Sequence, residues 1–221
     1  MPATWKFRLL ALLICIVVGP VAMANLVAEL LRPAQVPIAT RASKVPSPDQ
    51  VSASSLASAI VPFRSDLKAD YAQALAGEAI HSQSGARTDA EKNAQSAIRG
   101  ALGIGPHDSR LWLVLAVLQA RKSPVDPLIA ESLKMSYLTG PNQSELIPVR
   151  LGIVTSNNSL SDSDLSELAR GDVRALLTQL SGRRDELLDD YQRASEIGRK
   201  FLEESVKGID PEFAGTLRGK R

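Results

Sequence analysis

Eight consecutive apolar residues, Leu111 to Leu118, leave this chain few ways to fold. Periodicity alone fits either a buried strand or a buried helix at that length. The flanks decide for a helix. Asp108-Ser109 supplies an N-cap, Gln119-Ala120-Arg121-Lys122 continues with good helix formers, and Ser123-Pro124 stops the element. A helix that is apolar on every side must be covered on every side, so this segment is expected at the centre of a helical domain.

The rest of the chain from Asp66 to about Leu217 carries the same period. Asp66–Ile80 and Asp89–Leu102 are expected as a helix pair, with Ser82-Gln83-Ser84-Gly85 stretching the join between them. Asp108 to Leu138 is expected as a second pair, and Ser144 to Val154 opens another. Further on, Ser161-Asp162-Ser163-Asp164 gives a cap with an acidic first turn. Leu165, Leu168, Ala169, Val173, Leu176, Leu177 and Leu180 follow in steps of three and four, an amphipathic stripe. A second stripe runs through Leu187, Leu188, Tyr191, Ala194, Phe201, Leu202, Ser205 and Val206, with a break at Ser195. A last short helix starts at Asp210-Pro211. Strand signatures are scarce, and the predicted fold class is all-α.

Spacing around the central helix adds detail. Ala94, Ile98, Ala101 and Pro106 are separated by 4, 3 and 5 residues, and Trp112, Leu115 and Ala116 follow. Ile129, Leu133, Ser136 and Pro141 repeat the 4, 3, 5 spacing, with Pro141 35 residues after Pro106. Small residues let paired helices approach to about 8–10 Å, a proline closes each second helix, and a large aromatic opens the next. This pattern resembles the tetratricopeptide repeat, whose period is ~34 residues. The resemblance spans roughly Asp66 to Val154. It departs from the repeat pattern at Ser136 (alanine expected), at Gln119 (aromatic expected) and at Pro148, which interrupts the third opening helix. The organisation so implied is a repeat array over 65–157 closed by C-terminal capping helices over 158–221, because a short stack needs a polar-faced cap.

Ahead of the array, residues 32–64 hold Pro33, Pro37, Pro46, Pro48 and Pro62 among many serines. Prolines at that density are expected to give a disordered tether. Residues 1–31 read differently. Lys6 and Arg8 precede a ten-residue apolar run, Leu9–Val18, and the pattern continues to Leu31. The 23 residues from Leu9 to Leu31 would reach roughly 34 Å as a helix, enough to cross a bilayer. A basic start before an apolar run is an export signal that keeps the N-terminus inside. An uncleaved anchor competes with a cleaved signal peptide, since Ala22-Met23-Ala24 has the small-x-small form of a processing site. The first reading puts the domain on the periplasmic side of the inner membrane. The second releases it after Ala24.

Chemistry is harder to find. Net charge is +2, from 26 basic and 24 acidic residues, which argues against a dedicated nucleic-acid binder. The single cysteine, Cys15, excludes a disulfide framework and multi-cysteine metal sites. His81 and His107 have no second ligand at metal spacing, and His107-Asp108-Ser109 reads as a helix cap, because adjacent side chains in a turn cannot form a triad. Asp185-Glu186 and Asp189-Asp190, interleaved with Arg183, Arg184 and Arg193, read as an exposed helix face. No catalytic residue, metal or cofactor is expected. The repeat resemblance implies binding along the first helix of each pair, where Arg110, Leu113, Val117 and Ala120 stand, mostly apolar and without a basic carboxylate clamp. Arg121, Lys134, Tyr137 and Arg150, near the turns, are the candidate partner-binding residues.

These features together imply a non-enzymatic, membrane-anchored scaffold or accessory protein of a bacterial envelope process, acting on a protein partner. The resemblance extends to small tetratricopeptide-like envelope proteins of polysaccharide synthesis or export. The alternative is a soluble periplasmic peptide-binding or chaperone-like protein.

Overall fold

The structure is a computed structural model, and it describes residues 3–33, 38–40, 43–82 and 87–219. Among these residues all regular structure is helical, so the fold class is all-α. The chain divides into two compact units, Met1–Pro37 with Ser43–Gly105, and Ile38–Ala42 with Pro106–Arg221. The division at Gly105/Pro106 falls inside the segment read from spacing as one repeat array. The expected boundary at 157/158 instead lies within the second unit.

The first unit begins with α1 (Ala3–Leu31), which continues through Pro20 without a break. Its segment Phe7–Leu31 is 25 residues long and apolar enough to cross a membrane. Its large apolar side chains, from Trp5 to Leu30, are exposed.

The expectation of a disordered tether over 32–64 is corrected. α2 (Pro48–Ile60) lies in the middle of that stretch. Ser47 caps it: its Oγ accepts from the Gln50 N–H at 3.2 Å, and Gln50 Oε1 accepts from the Ser47 N–H at 2.9 Å. That reciprocal pair satisfies two otherwise orphaned donors, and Pro48 in the first turn sacrifices no hydrogen bond. Pro46, Pro48 and Pro62 thus frame the helix instead of preventing it. Residues 34–37 and 41–42 of the same stretch, and residues 83–86 of the expected α3–α4 join, lie outside the described residues.

α2 packs against the end of α1 and against α3 (Ser65–His81), which in turn pairs with α4 (Arg87–Ile104). Ala28, Ala57 and Leu67, one from each of the first three helices, form a small buried cluster that Leu31 and Val61 cover. Charged groups fasten the same joint. Arg64 Nη2 donates to Glu29 Oε2 at 2.9 Å, while Arg32 donates to Asp66 at 3.1 Å and to Asp70 at 2.6 Å. The α3–α4 pair is close because its buried residues are small: Ala72, Ala76 and Ala79 on α3, Ala94 and Ala101 beside Ile98 on α4.

The second unit centres on α5 (Ser109–Lys122). Asp108 caps it, accepting from the Arg110 and Leu111 N–H groups at 3.0 and 3.1 Å. Leu111 and the run from Leu113 to Gln119 are buried, so the apolar octet is covered nearly all round. α5 pairs with α6 (Leu128–Thr139). Then come α7 (Ile147–Ser156), α8 (Ser163–Thr178), α9 (Arg184–Arg193), α10 (Glu196–Lys207) and α11 (Pro211–Gly219). One core joins Leu113 and Ala116 of α5 to Leu151 of α7, Leu165 and Leu176 of α8, and Leu202 of α10.

Pro148 does not interrupt a helix, contrary to expectation. Ser144–Leu146 forms a single 3₁₀ turn, α7 starts at Ile147, and the proline occupies its first turn, where no bond is lost. The break expected at Ser195 is the α9–α10 junction, where Ser195 caps α10.

Candidate binding cleft

The spacing-derived positions fall in consistent places. Ala94, Ile98, Ala101, Leu115, Ala116, Ile129, Leu133 and Ser136 are buried, while Pro106 and Pro141 sit exposed in turns. The half-buried Trp112 donates its indole N–H to the Pro106 carbonyl at 2.8 Å. Ser136, where the repeat pattern wants alanine, has a reason of its own. Its hydroxyl donates to the Ser109 carbonyl at 2.9 Å and accepts from Arg150 Nε at 3.1 Å.

The four candidate partner-binding residues do not form one surface. Arg150 is 0% exposed and Tyr137 is also buried, which corrects their assignment as surface contacts. Arg150 instead ties α7 to the end of α6. Its Nη2 donates to the Ser136 and Gly140 carbonyls at 2.5 and 2.9 Å, in addition to the backbone N–H groups of Gly140 and Gln143 that those carbonyls already accept. Its guanidinium lies 4.6 Å from the Tyr137 ring centroid, a stacking that arginine makes well when desolvated. Gly140 is needed at this corner, because a β-carbon there would stand 2.5 Å from Ser109 Oγ. Arg121 and Lys134 are half-buried. Lys134 reaches two carboxylates, Asp162 at 2.6 Å and Asp164 at 3.2 Å. Those bonds, that to Asp162 foremost, raise the pKa of its ammonium, and Lys134 in turn lowers the pKa of Asp162.

A cleft of about 960 Å³ opens between α6 and α8 of the second unit. Its walls are apolar, with Leu138, Ile147, Leu168, Ala175 and Leu180, and its rim carries Lys134, Asp164 and Glu167. Tyr137 and Asp172 lie at the base. Asp172 is 5% exposed, and burial pushes its carboxyl up to about 6, against the pull of Tyr137 and Arg150. Burial likewise holds the Tyr137 phenol well above its ordinary value and lowers the Arg150 guanidinium. The Tyr137 hydroxyl faces Asp172 without well-formed hydrogen-bond geometry, and Asp172 Oδ2 and Arg150 Nη1 are buried without partners. The base of the cleft therefore holds a buried carboxyl and a phenol with spare hydrogen-bonding capacity, with the Arg150 guanidinium buried behind the Tyr137 ring.

Leu113 and Val117, expected along a binding face of α5, are buried, and Leu113 belongs to the core shared with α7 and α8. The accessible concavity belongs to α6 and α8 instead. Sequence reasoning missed Asp172 as a lining residue, although a signal existed. Asp172 continues the α8 stripe through Ala169 and Leu176, as Arg150 continues the α7 stripe of Ile147, Leu151 and Val154. An ionisable residue on an apolar stripe is buried by its neighbours and needs a partner there.

The remaining chemistry-bearing residues fill structural positions. His81 Nδ1 donates to the Gly77 carbonyl at 2.8 Å, within the last turns of α3. Asp190, read as part of an exposed acidic face, is buried, which is a correction; only one of its oxygens is bonded, to Arg193 at 3.0 Å. Among the described residues, no group of three or more His, Cys, Asp or Glu is gathered as for a metal ion. No protein-family model, curated protein or solved structure matches the chain.

Proposed function

We propose that this chain is a membrane-anchored, non-enzymatic scaffold or accessory protein of a bacterial envelope process, which holds a polypeptide segment in the α6–α8 cleft. The observation that carries the reading is the cleft itself: apolar walls, a charged rim and a volume suited to several side chains. The rim carboxylates are already paired, Asp164 with Lys134 and Glu167 with Arg170 at 3.0 Å, so the apolar walls favour a segment that presents apolar side chains. The apolar segment Phe7–Leu31, led by basic residues at its start, supports anchoring with the helical units on the periplasmic side. We further read α3–α4 and α5–α6 as tetratricopeptide-like pairs. The spacing of their buried small residues and the Trp112–Pro106 contact support that reading.

The test is site-specific photo-crosslinking in intact membranes. A crosslinker replacing the exposed Leu138 on the cleft wall is expected to give a discrete protein adduct. The same crosslinker at the exposed Ile197 of α10 is expected to give none. Equal adducts at both positions, or none at Leu138, would contradict the proposal.

A further inference from the structure

Among the described residues, the large apolar side chains of α1 are exposed as far as Leu30, and α2, which packs on the last turns of α1, carries exposed apolar residues of its own. Leu56 and Ile60 are spaced four apart on α2, turned away from the buried Ser54, Ala57 and Ser58, and are 56% and 37% exposed. Phe63, in the turn before α3, is 88% exposed. A phenylalanine that bare is not explained by packing within the unit, and three such residues within eight positions make a patch.

The joint described above fixes where this patch lies. Ala57 packs on Ala28 in the penultimate turn of α1, Val61 and Leu31 both pack against that cluster, and Arg64 bonds Glu29. Phe63 is flanked by residues in contact with the exit end of the apolar helix. If α1 crosses a bilayer, its last turn lies at the boundary between acyl chains and headgroups, and whatever is fastened to that turn lies at the same depth. That boundary accepts apolar side chains to roughly 5–10 Å and aromatic residues especially.

We propose that the end of α2 and the α2–α3 turn, through Leu56, Ile60 and Phe63, dock into the interfacial layer of the same bilayer that α1 crosses. The first unit then rests on the lipid surface instead of standing off it on a leash. Arg32 and Arg64 are each paired with carboxylates of the joint, Glu29, Asp66 and Asp70, so they hold the turn at headgroup depth without requiring anionic lipid. Attachment is therefore expected to be the same in zwitterionic and anionic membranes. The inference rests on the reading of α1 as a span.

The experiment uses the full chain, purified and reconstituted in phosphatidylcholine vesicles, with one environment-sensitive fluorophore per sample. Natural Cys15, exposed in the middle of α1, is the reporter of the span. Leu56→Cys, Ile60→Cys and Phe63→Cys, each with Cys15→Ser, report the patch. Glu78→Cys, likewise with Cys15→Ser, exposed on α3 and roughly 18 Å along it from Asp66, is the reference in water. Cys15 is expected to be quenched by nitroxide deep in the acyl chains. The three patch positions are expected to be quenched by nitroxide near the headgroup, and Glu78 by neither. Adding Phe63→Asp, at a site with no core contact to lose, is expected to return positions 56 and 60 to the Glu78 level with helicity unchanged. The same patch quenching is expected when phosphatidylglycerol is included.

Failure at Cys15 sinks the span reading and this inference together. Quenching at Cys15 with none at the patch sinks the inference alone. Patch labels shielded from lipid but self-quenched as protein density rises would assign the surface to a second copy, which also overturns it, as would equal quenching at Glu78.

Discussion

Arg150 is the largest fully buried side chain of the second unit. It is fully buried, its Nε and Nη2 are satisfied by Ser136 and Gly140, and Asp172 compensates its charge. Removing one partner of a buried pair typically costs about 3–5 kcal/mol, because the other is left uncompensated. Arg150→Met is therefore expected to lower the stability of the second unit by that amount at neutral pH in denaturant melts. Adding Asp172→Asn should recover part of it, and strictly additive losses would show that the two groups are not coupled. Asp190 makes a second, pH-dependent prediction. Burial raises its carboxyl to about 6, against its bond to Arg193 and with Glu186 and Asp189 adding repulsion. Between pH of about 4 and about 6 the folded state then binds more protons than the unfolded chain, so stability falls as pH rises through that window. Each tenfold gain in proton affinity on folding corresponds to about 1.4 kcal/mol, so this group contributes up to about 3 kcal/mol of that fall. Asp190→Asn should flatten the profile, leaving only the part of the same sign that comes from Asp172. An unchanged slope would contradict the assignment. Both aspartates, and Arg150, lie where stripe positions or helix register could have flagged them. Whether such a residue turns inward depends on which neighbours arrive from elsewhere in the chain, and local pattern does not carry that information.

Helix ends and close approaches explain how the elements are held. α10 begins where Ser195 N–H and Oγ both donate to the Thr155 carbonyl of α7, each at 2.9 Å, and Ser195 Oγ accepts from the Gly198 N–H at 3.1 Å. A β-carbon on Gly198 would overlap that same Thr155 carbonyl. Gly198→Ala is thus expected to lower the melting free energy by about 2–3 kcal/mol, despite the better helix propensity of alanine. Gly171→Ala on α8, where nothing lies within 4 Å of the new methyl, is expected to stabilise by up to about 1 kcal/mol. Thermal unfolding of the two variants separates these outcomes, and equal changes in melting temperature would mean that the α7–α10 contact is not tight. At this scale the sequence was highly readable. Caps at Asp108 and in Ser161–Asp164, the break at Ser195 and the apolar stripes located α5, α8 and α10. α2 escaped because proline content was weighed above proline position. Its marker was nonetheless present in Ser47-Pro48-Asp49-Gln50, a capping box with proline in the first turn. Placing the cleft needed the packing of α6 against α8, which no single stretch of sequence encodes.

The molecule as a whole is, on the proposed reading, a helical protein held to a membrane by α1, with the last turn of that helix built into the first unit and an open cleft on the second. The joint of Ala28, Ala57, Leu67, Arg32 and Arg64 replaces the loose tether that the prolines suggested. It also bears on processing, because cleavage after Ala24 would leave Ala28 and Glu29 in the joint but remove most of the apolar segment. The central claim is retention of α1 as an anchor. It is tested most directly by alkaline carbonate extraction of membranes from cells that make the untagged chain, read out by intact mass. Retention predicts a carbonate-resistant species that keeps residues 1–24. A carbonate-soluble species lacking those residues would contradict it.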